Sequence, residues 1–155
     1  MKIKGLVDED VVNYKKTSMY IVFPQCNGFK CGSEFCQNSA LAKEPVIEVD
    51  IDDLLKRYTD NPLTEAVVCA GLEPFDTFDS LFWFVAKFRY SVGDDDIVIY
   101  TGYDKSEIES EVDELAQYKN IIIKFGRYIP DKDHHFDDIL GVELASPNQY
   151  AEKIS

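Results

Sequence analysis

The hydrophobic positions of the chain fall into short apolar runs separated by polar segments. Four of the runs are rich in β-branched and aromatic residues and are nearly continuous: Ser18–Phe23, Ala66–Ala70, Asp96–Gly102 and Asn120–Phe125. Runs of this length and composition are typical of strands covered on both faces. A fifth run, Val46–Asp50, alternates between apolar and polar residues. It predicts an edge strand or a lead-in to the next helix.

Between the predicted strands, apolar residues recur at the spacing of a helix. Ile51, Leu54, Leu55 and Tyr58 lie at positions i, i+3, i+4 and i+7, and Asp50 before them is a suitable N-cap. The same spacing predicts two further helices. Their apolar faces are formed by Phe78, Leu81, Phe82 and Val85, and by Ile108, Val112 and Leu115.

The order of these elements indicates an α/β fold. Strands that alternate with helices imply right-handed crossovers and a mostly parallel sheet. About four or five strands are too few for a closed eight-stranded barrel. We therefore expect a partial, open (β/α) barrel. The length of 155 residues suits a single domain, residues 1–155, with its core at about residues 18–149.

The loops that follow the predicted strands are the natural place for a site. Parallel α/β sheets carry their chemistry at the carboxyl ends of the strands. The first strand is followed by a cysteine-rich loop, and the next three by "GLEPF", "TGYD" and "GRYIP". We expect these four loops to meet at one edge of the sheet and to form a single site.

Composition and charge narrow the class of protein. A hydrophobic content of 45% with 13% aromatic residues is typical of a globular chain. The formal net charge of -13 would repel the phosphate backbone of a nucleic acid, so we expect no nucleic-acid partner. No apolar run approaches the roughly 20 residues of a membrane span, and the first residues lack a secretory signal. We therefore expect a cytoplasmic protein without a membrane partner, in a compartment that keeps thiols reduced.

Three of the four cysteines lie within eleven residues of the first loop. They are Cys26, Cys31 and Cys36, in the stretch "PQCNGFKCGSEFCQNS". Where thiols are kept reduced, clustered cysteines indicate metal binding or catalysis before structural disulfides. Three thiolates close in sequence can bind zinc or an iron–sulfur cluster.

A fourth protein ligand is not obvious, although structural zinc normally has four. Cys69 lies inside an apolar strand and is more simply a small core residue. His134 and His135 are adjacent, so their side chains diverge, and they lie in an acidic loop. Three interpretations stay open at this point: an iron–sulfur cluster with one iron free for another ligand, zinc, and redox-active or incidental thiols.

Together the motifs resemble the radical S-adenosylmethionine superfamily. That superfamily has a triple-cysteine loop after the first strand of a partial barrel and a "GLEP"-like turn after a following strand. Four further stretches are similar, in order and spacing, to the family of activating proteins of anaerobic ribonucleotide reductase. They are "CQN" at Cys36–Asn38, "DIVIYTGY" at Asp96–Tyr103, "IIIKFGRYIP" at Ile121–Pro130 and "LGVELASPNQ" at Leu140–Gln149. The resemblance covers most of the chain.

Two features of the sequence depart from the family pattern. The cysteine spacing is C-x4-C-x4-C where the family has C-x3-C-x2-C, and Leu72 replaces the second glycine of G-G-E-P. A wider loop costs little closure entropy, and Gly28 and Gly32 allow it to bend. Leu72 indicates that the backbone there need not have a positive φ. We therefore still expect the loop to assemble a cluster.

The resemblance implies a cofactor site. Cys26, Cys31 and Cys36 would hold three irons of a 4Fe-4S cluster, and the amino and carboxylate groups of S-adenosylmethionine would bind the fourth. The implied cofactor-binding residues are Phe35 beside the adenine, Asn38 near the cofactor, Gly71 and Glu73 near the methionine amino group, and Thr101 and Gly102 in the pocket wall. Simpler roles are open for four of them: loop packing for Phe35, an N-cap for Asn38, a turn residue for Glu73 and a plain turn for Gly102.

The resemblance also implies an activity. The protein would cleave S-adenosylmethionine reductively and generate a glycyl radical on a partner enzyme, the large subunit of anaerobic ribonucleotide reductase, with flavodoxin or ferredoxin as electron donor. Alternatives are another radical S-adenosylmethionine enzyme that modifies a peptide or protein, and a non-enzymatic zinc or iron–sulfur module on the same fold.

Overall fold

A computed structural model describes residues 1–28 and 36–155, and a six-stranded sheet lies at its centre. The strands are β1 (Lys2–Ile3), β2 (Gly5–Asp10), β3 (Ser18–Phe23), β4 (Ile47–Glu48), β5 (Ala66–Gly71), β6 (Asp96–Tyr100), β7 (Ile121–Phe125), β8 (His135–Asp137), β9 (Val142–Leu144) and β10 (Tyr150–Lys153). The helices are α1 (Ile51–Asp60), α2 (Phe78–Ser91) and α3 (Glu109–Leu115). Short 3-10 turns lie at Leu41–Lys43, Pro74–Thr77 and Lys105–Glu107.

The central sheet is mixed and mostly parallel. Its strand order is β10-β7-β6-β5-β3-β2. The inner strands β3, β5, β6 and β7 pair in parallel, whereas β2 and β10 pair antiparallel to their neighbours at the two edges. The α/β class and the mostly parallel sheet expected from the sequence are confirmed.

The four inner strands form where the sequence has its continuous apolar runs. Every residue of β5 and of β7 is buried, as expected of strands covered on both faces. The first helix also follows its sequence pattern. Its apolar positions Leu54, Leu55 and Tyr58 are buried, and the side chain of Asp50 accepts a hydrogen bond from the backbone N–H of Asp52.

Both edge strands were missed by the sequence pattern. β2 reads "GLVDED" and alternates half-buried with exposed residues, and β10 reads "YAEK" and has one buried residue, Ala151. Neither forms an apolar run, because an edge strand needs only one covered face. The run Val46–Asp50 contributes the short strand β4, which pairs with β1 outside the central sheet.

The two faces of the sheet are covered differently. All three helices pack on one face, where their side chains meet strand residues such as Ile21, Cys69 and Ile99 in the larger core cluster. The opposite face carries Val68, Ala70 and other strand residues in a smaller cluster, and Leu140 and Leu144 from the C-terminal segment cover part of it. The rest of this second face is available for a cavity.

The sheet does not close on itself within the described ranges, since it ends at the edge strands β2 and β10. An open arrangement was expected, and the more specific assignment to a radical S-adenosylmethionine barrel stays a prediction. In residues 1–28 and 36–155, we find no helix whose length and apolar character would let it cross a bilayer.

Candidate functional site

A cavity of about 580 Å³ lies on the face of the sheet opposite the helices. Its wall includes residues from all four loops that follow the parallel strands: Cys26 and Cys36 after β3, Gly71–Glu73 after β5, Thr101 and Gly102 after β6, and Gly126 and Tyr128 after β7. The four loops therefore meet as the parallel topology requires. Its floor includes Tyr20, Ala70 and Tyr100.

Two of the three clustered cysteines are placed by the structure. Cys26 and Cys36 are partly exposed, and both line the same cavity. The backbone N–H of Gly28 donates a hydrogen bond to the Cys26 sulfur at 3.4 Å. Gly28 has φ +76, a turn that suits glycine. Cys31 and Phe35 lie outside the described residues.

The other candidate ligands lie away from this cavity. Cys69 is fully buried in the helix-side core, so its predicted role as a core residue is confirmed. Burial raises the pKa of its thiol, which keeps it protonated. His134 and His135 do not contribute to the cavity wall. Residues 1–28 and 36–155 contain no group of three or more His, Cys, Asp or Glu side chains arranged to hold a metal ion.

Glu73 is a buried carboxylate that joins two loops of the site. It is 2% exposed, and it accepts hydrogen bonds from the Thr101 hydroxyl (2.8 Å), the Gly102 N–H (2.9 Å) and the Phe75 N–H (3.2 Å). Burial raises the pKa of Glu73 to about 7, although these hydrogen bonds oppose the shift. The sequence also left open a simpler role for Glu73 as a turn residue. Glu73 has this role as well, because its contact with Phe75 caps the 3-10 turn Pro74–Thr77.

Gly71 is required by packing as well as by backbone conformation. Its φ is +98, and a Cβ atom at this position would lie 2.5 Å from Cγ1 and 2.9 Å from Cα of Val22 on the neighbouring strand. Strand β3 therefore occupies the space that a side chain would need. Leu72 does not have a positive φ, as its residue type predicted.

Asn38 ties the cysteine loop to the end of β5. Its side-chain amide donates a short hydrogen bond to the carbonyl oxygen of Gly71. Asn38 does not have the N-cap role that the sequence left open, because the N-cap of the 3-10 turn Leu41–Lys43 is Ala40. Asn38 also lines the cavity.

The sequence pattern missed Lys124, which lies in the apolar strand β7. Of the residues that the structure describes, Glu73 and Lys124 are the only charged ones that are buried. The Lys124 ammonium donates to the carbonyl oxygens of Gly126 (2.8 Å) and Thr101 (3.5 Å) and lines the cavity. The available signal was a single charge inside an otherwise apolar strand, which is costly unless it has partners.

Asp76 was also missed as a residue that supports the site, and so was its contact with Tyr103, a residue of the expected loop "TGYD". The Tyr103 hydroxyl donates to the Asp76 carboxylate at 2.7 Å, and the backbone N–H of Asn27 donates to the same carboxylate at 2.7 Å. These contacts link the loops after β3, β5 and β6. No local pattern in the sequence indicates them, because the partners are far apart along the chain.

Comparison with known proteins adds one match. A protein family described as "4Fe-4S single cluster domain" matches residues 23–144, which is most of the chain and includes all three cysteines of the first loop. No curated protein and no solved structure matches the chain significantly.

Proposed function

Because the chain belongs to the 4Fe-4S single cluster domain family, we propose that its cavity is the site of a 4Fe-4S cluster held by Cys26, Cys31 and Cys36. The observation that carries the proposal is the opening of Cys26 and Cys36 onto the cavity that the four strand-end loops form. Soft thiolates suit iron–sulfur clusters, and three of them leave one iron open to a further ligand.

We further propose that the cavity binds S-adenosylmethionine, in keeping with the sequence resemblance. The amino-acid end of this cofactor carries an ammonium and a carboxylate. The cavity wall offers one buried group of each opposite charge, Glu73 and Lys124. Oε2 of Glu73 accepts one hydrogen bond, from Gly102, and a carboxylate oxygen can accept two. Charge-assisted hydrogen bonds of this kind are among the stronger ones in proteins.

The residues around Glu73 hold the cofactor end of the site in place. Thr101 donates its hydroxyl to Glu73, and its carbonyl oxygen accepts from Lys124, so it fixes both charged groups. When bound, the cluster supplies the single electron for reductive cleavage of S-adenosylmethionine. The buried position of Glu73 and Lys124 keeps bulk water away from the charges that orient the cofactor.

As the cellular role we propose activation of a glycyl radical enzyme. The supporting observations are the resemblance to the activating proteins of anaerobic ribonucleotide reductase and the cavity on a sheet face that the helices leave uncovered. The large subunit of that reductase is the proposed partner, and flavodoxin or ferredoxin is the proposed electron donor. A polypeptide substrate needs an accessible cavity of this kind.

Anaerobic reconstitution tests the proposal. The protein is loaded with iron and sulfide, iron and sulfide are counted per chain, and 5'-deoxyadenosine is measured after addition of S-adenosylmethionine and dithionite. We expect cluster loading and 5'-deoxyadenosine with the wild-type protein. Cys36→Ala should lose both, whereas the matched control Cys69→Ala, altered on the helix side of the same sheet, should keep both.

Three outcomes would contradict specific parts of the proposal. Stoichiometric zinc in place of iron would rule out the cluster. A loaded cluster without 5'-deoxyadenosine would instead leave an iron–sulfur module without the proposed radical chemistry. Loss of the cluster in Cys69→Ala alone would show that the ligand assignment is wrong.

A further inference from the structure

Asp76 lies where three loops of the site meet. It belongs to the 3-10 turn Pro74–Thr77 after β5, the turn that Glu73 caps. Its Oδ2 accepts the backbone N–H of Asn27 at 2.7 Å, and its Oδ1 accepts the hydroxyl of Tyr103 at 2.7 Å. The side-chain amide of Asn27 also donates to the Tyr103 hydroxyl at 3.4 Å. The Asp76 carboxylate is therefore hydrogen-bonded to the backbone of Asn27, the residue that directly follows Cys26.

The other end of the cysteine loop is attached to the same segment. Asn38, two residues after Cys36, donates its side-chain amide to the carbonyl of Gly71. Gly71 is the last residue of β5, and Asp76 lies in the 3-10 turn that follows that strand. The segment from Gly71 to Asp76 therefore holds the cysteine loop just after its first cysteine and just after its last.

We infer that Asp76 is a positioning residue for the metal site: its carboxylate fixes the backbone at Asn27, and with it the Cys26 sulfur, relative to the loop after β5. The inference rests on the proposed cluster. Asp76 is not a ligand of the proposed cluster and acts through Asn27. Asn38 has the corresponding role for the Cys36 end.

The spacing of the cysteines explains why such a support is needed. A C-x4-C-x4-C loop has more residues between its thiols than the resembled family has, and each added residue adds backbone conformations to be restricted. Fixing both ends removes much of that freedom without shortening the loop. Partners that orient metal ligands in this way typically change metal affinity by about 10- to 100-fold when removed.

The test compares four proteins: wild type, Asp76→Ala, Tyr103→Phe and Asp79→Ala. Asp79 is the matched control, an exposed carboxylate in the first turn of α2 close to Asp76 in sequence. Each is reconstituted anaerobically. The rate of iron loss to a chelator and the electron paramagnetic resonance spectrum of the reduced cluster are then measured. Thermal unfolding of the iron-free proteins shows whether any effect comes from general destabilisation.

For Asp76→Ala we expect iron loss about 10-fold faster than in wild type and a changed spectrum. Tyr103→Phe should show a smaller change in the same direction, since it removes one of the two contacts of Asp76. Asp79→Ala should match wild type. The iron-free forms of wild type and Asp79→Ala should melt at the same temperature. Those of Asp76→Ala and Tyr103→Phe should melt only slightly lower, because the contact with Asn27 is exposed and the contact with Tyr103 is only partly buried.

Failure of the inference and failure of the proposed function are distinguishable. If wild type and Asp76→Ala hold equal iron, lose it at equal rates and give the same spectrum, the positioning role is overturned while the cluster assignment stands. If iron-free Asp76→Ala melts well below wild type, and Tyr103→Phe loses iron no faster than wild type, Asp76 stabilises the fold instead. If wild type itself binds no iron, the proposed function fails and the inference with it.

Discussion

Lys124 and Glu73 illustrate how much of the site depends on single buried charges. Each is buried in the cavity wall, and each is held by Thr101. A charged group removed from water needs hydrogen bonds or an opposite charge to be tolerated. Glu73 accepts hydrogen bonds from Thr101, Gly102 and Phe75, and Lys124 donates to the carbonyl oxygens of Gly126 and Thr101. Both groups line the cavity in which we propose that S-adenosylmethionine binds.

Substitution of Lys124 tests this proposal at the level of one side chain. Lys124→Met keeps an apolar chain of similar length but removes the ammonium. We expect the dissociation constant of S-adenosylmethionine for the cluster-loaded protein to rise about 10- to 100-fold, the range for losing a charge-assisted hydrogen bond. Anaerobic equilibrium dialysis measures it.

The matched control is Lys43→Met. Lys43 also borders the cavity but is exposed to solvent, so its charge is screened and its loss should change the dissociation constant little. Equal effects of the two substitutions would show that the buried position of Lys124 has no special role. Iron content, measured in the same samples, should be unchanged in both variants.

The strand β5 is the element on which the site is built. Its Gly71 packs against Val22 of β3, its Ala70 lies in the cavity floor, and the loop that follows it carries Glu73 and Asp76. The parallel pair β3–β5 runs in register from Ser18 opposite Ala66 to the end of both strands. The cysteine loop and the "GLEP" loop therefore leave the sheet side by side.

Gly71→Ala measures how tightly β5 and β3 are packed. The matched control is Gly93→Ala, because Gly93 also has a positive φ (+116) but nothing within 4 Å of the added Cβ. Gly93→Ala should lower the free energy of unfolding by about 1 kcal/mol for backbone strain alone. Gly71→Ala should cost about 1–3 kcal/mol more, because Val22 must move.

Urea denaturation of the two iron-free variants gives both values. If Gly71→Ala and Gly93→Ala lose equal stability, β3 moves to make room for the new methyl group with no loss of free energy. In that case the close approach of the two strands would not explain the glycine.

The sequence predicts the strands and helices that have complete apolar faces. It misses the edge strands, because their pairing depends on distant parts of the chain. The inner strands are visible because both of their faces are apolar, and α1 because its N-cap and its apolar face are local features. The edge strand β2 is missed because its acidic residues are tolerated on an open edge and its pairing with β3 is set by a distant part of the chain.

The same distinction applies to the site. The three cysteines and "GLEP" are short motifs, so the sequence indicates them directly. The contacts of Asp76 with Asn27 and Tyr103 span 49 and 27 residues along the chain, and no local pattern encodes them. The sequence shows Lys124 as a single charge inside an apolar strand, but only the fold places it in the cavity wall. The roles proposed for Phe35 and Cys31 stay predictions, since both lie outside the described residues.

For the whole molecule, two effects lower the stability as the pH rises towards neutral: repulsion among the many ionised carboxylates and ionisation of the buried Glu73. A formal net charge of -13 means that ionised carboxylates repel one another across the surface. Protonation of some of them relieves this repulsion. Glu73 adds a specific contribution, because burial raises its pKa from an ordinary value of 4.5 to about 7.

The raised pKa fixes the sign of the pH dependence. Between pH 4.5 and 7 the folded chain holds a proton on Glu73 that the unfolded chain releases, so the free energy of unfolding falls as the pH rises. The stabilisation is fully present below pH 4.5 and is lost above about pH 7, a total change of about 3 kcal/mol. Urea denaturation of the iron-free protein at several pH values measures it.

Glu73→Gln is the variant that isolates this contribution. It cannot ionise, so the difference in unfolding free energy between wild type and Glu73→Gln should change by about 3 kcal/mol over this range and be flat above it. A difference that does not change with pH would show that Glu73 titrates normally in the folded protein. At more acidic pH we expect stability to fall again, because ion pairing lowers the pKa of Asp8.

The separation of the two faces of the sheet has a consequence for how the protein matures. The apolar core that joins the helices to the sheet contains Cys69 but neither Cys26 nor Cys36. We therefore expect the chain to fold without iron. If the proposed cluster is lost, we expect the chain to keep the scaffold on which a new cluster can be built, so that loss of the cluster would be reversible.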